Sequence, residues 1–179
     1  MNWKEDIGKE IFIMKIRNAV ITDLDRIMDI YAYARKFMAE HGNPTQWGPT
    51  NWPPRDLIEE DITREKSYVC LNDEDKVIGV FFYNYGKDVD PTYGDITDGT
   101  WLEDSQYAVV HRLAVDGSER GIGTFCLNWA FEKSGHVRID THGDNKVMQS
   151  LLTKLGFKHT GTVYVESDDM PRIAFEKIA

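Results

Sequence analysis

The chain contains only two cysteines, Cys70 and Cys126. That excludes a scaffold built on disulfides and leads us to expect a reducing, cytoplasmic setting. No apolar run reaches the length of a transmembrane helix, so no membrane association is expected. The opening residues lack the apolar core of a signal peptide, because Lys4, Glu5, Asp6, Lys9 and Glu10 interrupt them. Residues 1–13 therefore read as a leader or N-terminal arm, and the domain proper as 14–179. Basic residues are the minority: 21 Lys and Arg stand against 30 Asp and Glu, a formal net charge of −9. A nucleic-acid binder needs a basic face, so no nucleic-acid partner is expected. The acidic run Asn72-Asp73-Glu74-Asp75-Lys76 has no nearby groups to complete a ligand set and reads as a solvated turn; no metal is expected. Both common nucleotide fingerprints, G-x-x-x-x-G-K-[ST] and the full G-x-G-x-x-G, are missing.

What is present is a folding composition. In 179 residues, 41% are apolar and 12% aromatic, enough for one domain with a sizeable core. The most informative stretch is His111-Arg112-Leu113-Ala114-Val115-Asp116-Gly117-Ser118-Glu119-Arg120-Gly121-Ile122-Gly123-Thr124. It reads as a strand, a polar turn, and a helix opening on two glycines. Backbone N–H groups at the positive end of a helix dipole make a place for a phosphate or pyrophosphate. Glycine lets the backbone approach a bulky anion where a Cβ would clash.

The remaining elements follow from pattern. Lys15–Val20 is a first strand. Thr22 is the expected N-cap of a helix whose Leu24, Ile27, Met28, Tyr31, Ala34 and Met38 recur at helical spacing, ending at Gly42. Asn43 to Pro54 is a loop with two tryptophans and a tandem proline, and a second helix runs from Arg55 to about Arg64. Tyr68–Leu71 and Val77–Tyr83 form a hairpin, residues 86–106 an acidic loop, and Tyr107–Val115 a long strand. A helix from Gly121, a strand Val137–Thr141, a helix Asn145–Leu155 and two closing strands complete one α/β domain with a mixed sheet flanked by helices.

The chain resembles the GNAT superfamily of acyl-CoA-dependent N-acetyltransferases. Two parts carry the resemblance: Leu113-Ala114-Val115 followed by Gly121-Ile122-Gly123 opening a helix, and Asn145, a helix, then Lys154-Leu155-Gly156-Phe157. It implies a mixed, mostly antiparallel twisted sheet in a single domain. It implies acetyl-CoA as co-substrate, paired along the backbone of Leu113, Ala114 and Val115, with its pyrophosphate on Glu119, Arg120, Gly121, Ile122, Gly123 and Thr124. Asn145 then contacts the cofactor or orders the strands beside it. A strand N–H would polarise the thioester carbonyl. Two positions depart from the family pattern: Ser118 stands where Arg or Gln is usual, and Leu152 where a tyrosine protonates the leaving thiolate.

Candidate residues carry paired readings. His111 is the first candidate for general base, since histidine titrates near neutrality and alternation places it on the face of Tyr107, Val109, Leu113 and Val115; the alternative is a histidine packed in a sheet. Tyr164 is either a replacement acid or a core or edge aromatic. Asn43, Gln46, Trp47 and Trp52 either line the acceptor pocket, the tryptophans offering a cation–π wall, or form a rigid plug over the core. His142 orders the helix after it, and Cys126 is a buried thiol. The expected activity is direct acetyl transfer to a primary amine on a small molecule or peptide; a non-catalytic acyl-CoA sensor is the rival. The resemblance also makes a homodimer an expectation.

Overall fold

The computed structural model describes residues 13–165 and 170–179. Residues 1–12, read above as most of a leader or arm, lie outside that range. Seven strands, β1 (Lys15–Asn18), β2 (Ser67–Leu71), β3 (Val77–Gly86), β4 (Tyr107–Val115), β5 (His136–His142), β6 (Lys158–Tyr164) and β7 (Pro171–Ile178), form one sheet in the order β1-β2-β3-β4-β5-β7-β6. Every neighbouring pair is antiparallel except β4 and β5. Four helices flank it: α1 (Leu24–Glu40), α2 (Arg55–Thr63), α3 (Ile122–Ser134) and α4 (Lys146–Lys154). Ile27, Ile30, Tyr31 and Ile58 pack α1 and α2 on Val69, Val80 and Ala114 of one sheet face. Ile122, Cys126, Leu127 and Leu152 pack α3 and α4 on Phe81, Val110 and Val137 of the other.

Two local expectations are corrected. Thr22 does not cap α1; Ile21–Asp23 form a 3-10 turn and the α-helix starts at Leu24. Asp23 causes this, because its carboxylate accepts the Val20 N–H at 2.8 Å and bonds from Arg17 at 2.7 and 3.1 Å. Second, His111 does not share a face with Leu113 and Val115. Val80 pairs with Ala114 but Phe82 with His111, so β4 carries one extra residue, and Arg112 takes a left-handed φ of 53°. This bulge reverses the alternation. Ala108, Val110, Leu113 and Val115 face α3, while Tyr107, Val109 and His111 face the opposite side.

The bulge is one half of what opens the sheet. The other is the β4–β5 pairing, which holds only at Ala108–Val137 and Val109–Arg138. Past those pairs the strands part, and the β4 backbone toward Val115 has no β5 partner.

The loop 87–106 covers β5 and β7 beside this opening. Its far end is held by Glu176, which is fully buried. Glu176 Oε1 accepts Arg138 Nε at 2.9 Å and lies 2.6 Å from His136 Nε2, and its other oxygen accepts the Leu102 N–H. Arg138 stacks on Trp101 and Tyr107 at 4.4 and 4.1 Å from the ring centroids. A buried carboxylate is tolerated only with such partners.

Candidate active site

A cleft of about 570 Å³ occupies the opening between β4 and β5. Its floor includes Val109, His111, Ile139 and Asp140. Phe37 and Met38 of α1, with Gln46, Trp47 and Trp52 of the following loop, make one wall. Asn145, Val147 and Met148 at the head of α4 make another, and Asp90 and Thr92 close the far end.

His111 projects into the cleft because it lies immediately before the bulge. Its Nε2 lies 2.7 Å from Asp90 Oδ2, and its Nδ1 lies 3.7 Å from Asp140 Oδ2. The other Asp90 oxygen accepts the Thr92 N–H and hydroxyl at 2.9 and 2.6 Å. Burial pushes the Asp90 carboxyl up, but the His111 and Thr92 contacts outweigh it and leave the group below the ordinary carboxylate range. Asp140 accepts the buried Tyr93 hydroxyl at 2.7 Å and lies 4.0 Å from Arg172 Nε. Burial, with the charges of Asp140 and Asp90, keeps the Tyr93 hydroxyl protonated well beyond its usual range. The Asp90 carboxylate can only accept, so Nε2 carries a proton toward it, while Nδ1 faces Asp140 and the cleft.

Arg112, at the bulge itself, donates to Asp61 at 2.5 Å and lies over the Phe82 ring, 4.7 Å from its centroid. Burial still leaves the Asp61 carboxyl above its ordinary value, despite the guanidinium. Tyr31 donates to the Arg112 carbonyl at 3.0 Å. These contacts hold the bulge from the α1–α2 side.

The turn between β4 and α3 is shaped by Asp116. Its carboxylate accepts Arg26 at 2.5 Å, the Ser118 N–H at 2.9 Å and the Ser118 hydroxyl at 2.6 Å. Ser118 is therefore occupied within the turn. Gly117 and Gly121 have φ of 73° and 83°, and a Cβ on Gly117 would strike the Tyr33 ring. Gly121 is the N-cap of α3 and its carbonyl accepts the Phe125 N–H. The first-turn amides of Ile122, Gly123 and Thr124 then have no intrahelical acceptor. Glu119 turns inward, with Oε2 buried and unpartnered. Arg120 is exposed, the one basic side chain of the turn.

The structure brings Leu113, Ala114, Val115, Gly123, Asn145, Gln46, Trp47, Trp52 and His111 to one cleft. Asn43 is buried at 3% exposure and does not line it; its Nδ2 donates to Gln46 at 2.7 Å and its Oδ1 has no partner. Asn145 caps α4 by accepting the Met148 N–H at 3.1 Å. Tyr164 is half-exposed on the edge strand β6 and is not a cleft residue. Leu152 is fully buried, so no polar group enters the cleft from that position. His142 is buried and its Nδ1 accepts the Asp144 N–H at 3.1 Å, ordering the start of α4. Cys126 is buried; its hydrogen bond with Cys70, together with burial, holds its thiol well above the usual range. Among the described residues no cluster of three or more His, Cys, Asp or Glu could hold a metal ion, and no helix is long and apolar enough to cross a membrane.

Asp90, Asp140 and Tyr93 had no assigned site role from sequence. The signal for β5 was there: His136, Arg138, Asp140 and His142 alternate through a strand otherwise made of Val137, Ile139 and Thr141.

A split sheet with a glycine-opened helix at its mouth is the architecture of an acyl-CoA-dependent acetyltransferase, and known proteins share it. A GNAT acetyltransferase from Streptococcus agalactiae is 31% identical, with a TM-score of 0.82 over 93% of this chain and 95% of that one. The PaiA N-acetyltransferase of Thermoplasma acidophilum, solved with coenzyme A, is 17% identical with a TM-score of 0.62 over 93% and 99%. The ribosomal-protein-S5-alanine acetyltransferase of Vibrio fischeri is 18% identical with a TM-score of 0.55 over 97% of each. No curated protein sequence matches the chain. The model of the acetyltransferase (GNAT) family matches residues 30–157. The chain belongs to the GNAT family of acetyltransferases.

Proposed function

We propose that the protein transfers the acetyl group of acetyl-CoA to a primary amine, by direct attack and without an acetylated enzyme. The observation that carries this reading is His111, held by Asp90 at the floor of the cleft where β4 leaves β5. The residues present fit the co-substrate. The unpaired backbone of Leu113 and Val115 takes its pantetheine arm as an added strand. The amides of Ile122, Gly123 and Thr124 take its pyrophosphate, aided by Arg120. A thioester supplies the activated acetyl group.

The protein's own part is positioning and proton transfer. Trp47, Trp52, Phe37 and Phe82 give the amine an apolar, aromatic wall. Holding the amine beside the acetyl group supplies much of the acceleration. Asp90 fixes the His111 ring through Nε2, Nδ1 takes the proton of the attacking amine as its N–C bond forms, and Asp140 stabilises the resulting imidazolium. As the C–S bond breaks, coenzyme A leaves as a thiolate that takes that proton, from the imidazolium or through solvent. A β4 amide polarises the acetyl carbonyl.

His111→Gln tests this. The variant should bind acetyl-CoA like the wild type and lose ~10²–10⁴-fold in amine-dependent release of coenzyme A. Unchanged turnover across pH would remove His111 from the mechanism. Wild-type protein that binds acetyl-CoA but releases none with any amine would be a sensor.

A further inference from the structure

One hydrogen bond crosses the mouth of the cleft. Gln46 Oε1, on the loop after α1, accepts Asn145 Nδ2 at 3.2 Å and Asn43 Nδ2 at 2.7 Å. α1 packs on β3 and β4, whereas Asn145 heads the helix that follows β5. The bond therefore ties together the two strands' sides where the sheet has split.

The polarity of these three amides is dictated from one end. Asn145 Oδ1 accepts the Met148 N–H, so its Nδ2 must face Gln46. Gln46 must then offer Oε1, and Asn43 must offer Nδ2. The cost falls on Asn43 Oδ1, left buried without a partner. A buried acceptor without a partner is expensive. The Asn145 amide also carries a second N–H, which is left for an acceptor in the cleft that Asn145 lines.

The loop beyond Gln46 is braced internally and against α1. Trp47 packs edge-on against Tyr31 with ring centroids 5.8 Å apart. The Trp52 N–H donates to the Trp47 carbonyl at 3.0 Å, the Asn51 N–H to Gly48 at 3.2 Å, and Arg35 to the Trp52 carbonyl at 3.2 Å. Gln46 directly precedes Trp47 and so adjoins this braced loop in the chain.

We propose that Gln46 is a positioning residue that couples the two ligands: acetyl-CoA engages the free Asn145 N–H, and Gln46 passes that restraint to residues 43–54, so the acceptor wall, already formed, is held more firmly once the co-substrate is in place. The proposal rests on the acetyl-CoA reading above. It makes Gln46 a coupling group, not a direct amine ligand.

Amide hydrogen exchange read by mass spectrometry tests it without an acceptor, using acetyl-CoA as the probe. In the wild type, saturating acetyl-CoA slows exchange at residues 122–124 and, by about fivefold or more, at residues 43–54. In Gln46→Ala the protection at 122–124 remains and that at 43–54 disappears. Gln46→Glu keeps an oxygen that accepts both amides and restores it. Asn145→Asp keeps the helix cap but turns an oxygen toward Gln46, and behaves like Gln46→Ala should that variant fail to fold. Equal loop protection in Gln46→Ala, or a wild-type loop indifferent to bound acetyl-CoA, overturns the proposal. A loop that exchanges faster in Gln46→Ala but is still protected by acetyl-CoA assigns Gln46 a structural role only, which also overturns it. Absence of protection at 122–124 in the wild type instead overturns the co-substrate reading, and the coupling falls with it.

Discussion

At the residue scale, the site depends on carboxylates whose partners fix their charge. Asp90 is the clearest, because its folded pKa lies below the unfolded one, about 3.9. A group depressed in this way contributes stability above the unfolded value and loses it as pH falls through the folded value. Asp90→Asn should therefore be less stable than the wild type at neutral pH, with the difference already smaller at about pH 4 and lost only as pH falls through the folded value. Urea unfolding at both pH values measures this; a difference independent of pH would contradict the hold that His111 and Thr92 have on the Asp90 carboxylate. His111 itself was legible in the sequence as a candidate base, but Asp90 was not. Twenty-one positions separate them, and only the fold of the 87–106 loop over β5 and β7 brings them to 2.7 Å.

At the scale of elements, the turn that opens α3 was read from its glycines, and β4 has the bounds its pattern gave. The β4 bulge was not readable. It comes from pairing with β3 and from Arg112 reaching Asp61 on α2, long-range contacts that no local pattern encodes. The first turn of α1 failed for a similar reason, because Asp23 answers to Arg17 on β1 and not to helix propensity. The two turn glycines do different work, and substitution separates them. Gly117→Ala and Gly121→Ala each force a side chain into left-handed φ, costing ~1–2 kcal/mol. Only Gly117→Ala also drives a methyl into Tyr33, whereas the space beside Gly121 is open. Thermal unfolding should show the larger loss for Gly117→Ala, while both weaken acetyl-CoA binding; equal losses would mean that Tyr33 simply moves aside.

At the scale of the molecule, the sheet is a rigid frame with one planned gap. Seven strands are joined in every neighbouring pair, but β4 and β5 meet at only two positions before parting. Sequence showed the strands, the single α/β domain and the resemblance to the GNAT superfamily, since periodicity and glycine spacing are local properties. It did not show how far two parallel strands stay paired, and that distance creates the cleft. The measurement that bears most directly on this account is calorimetric titration of the purified protein with acetyl-CoA, with ATP as control. The account predicts one site for acetyl-CoA and none for ATP. No acetyl-CoA binding at submillimolar concentration would contradict it, and would mean that the gap between β4 and β5 does not serve a co-substrate.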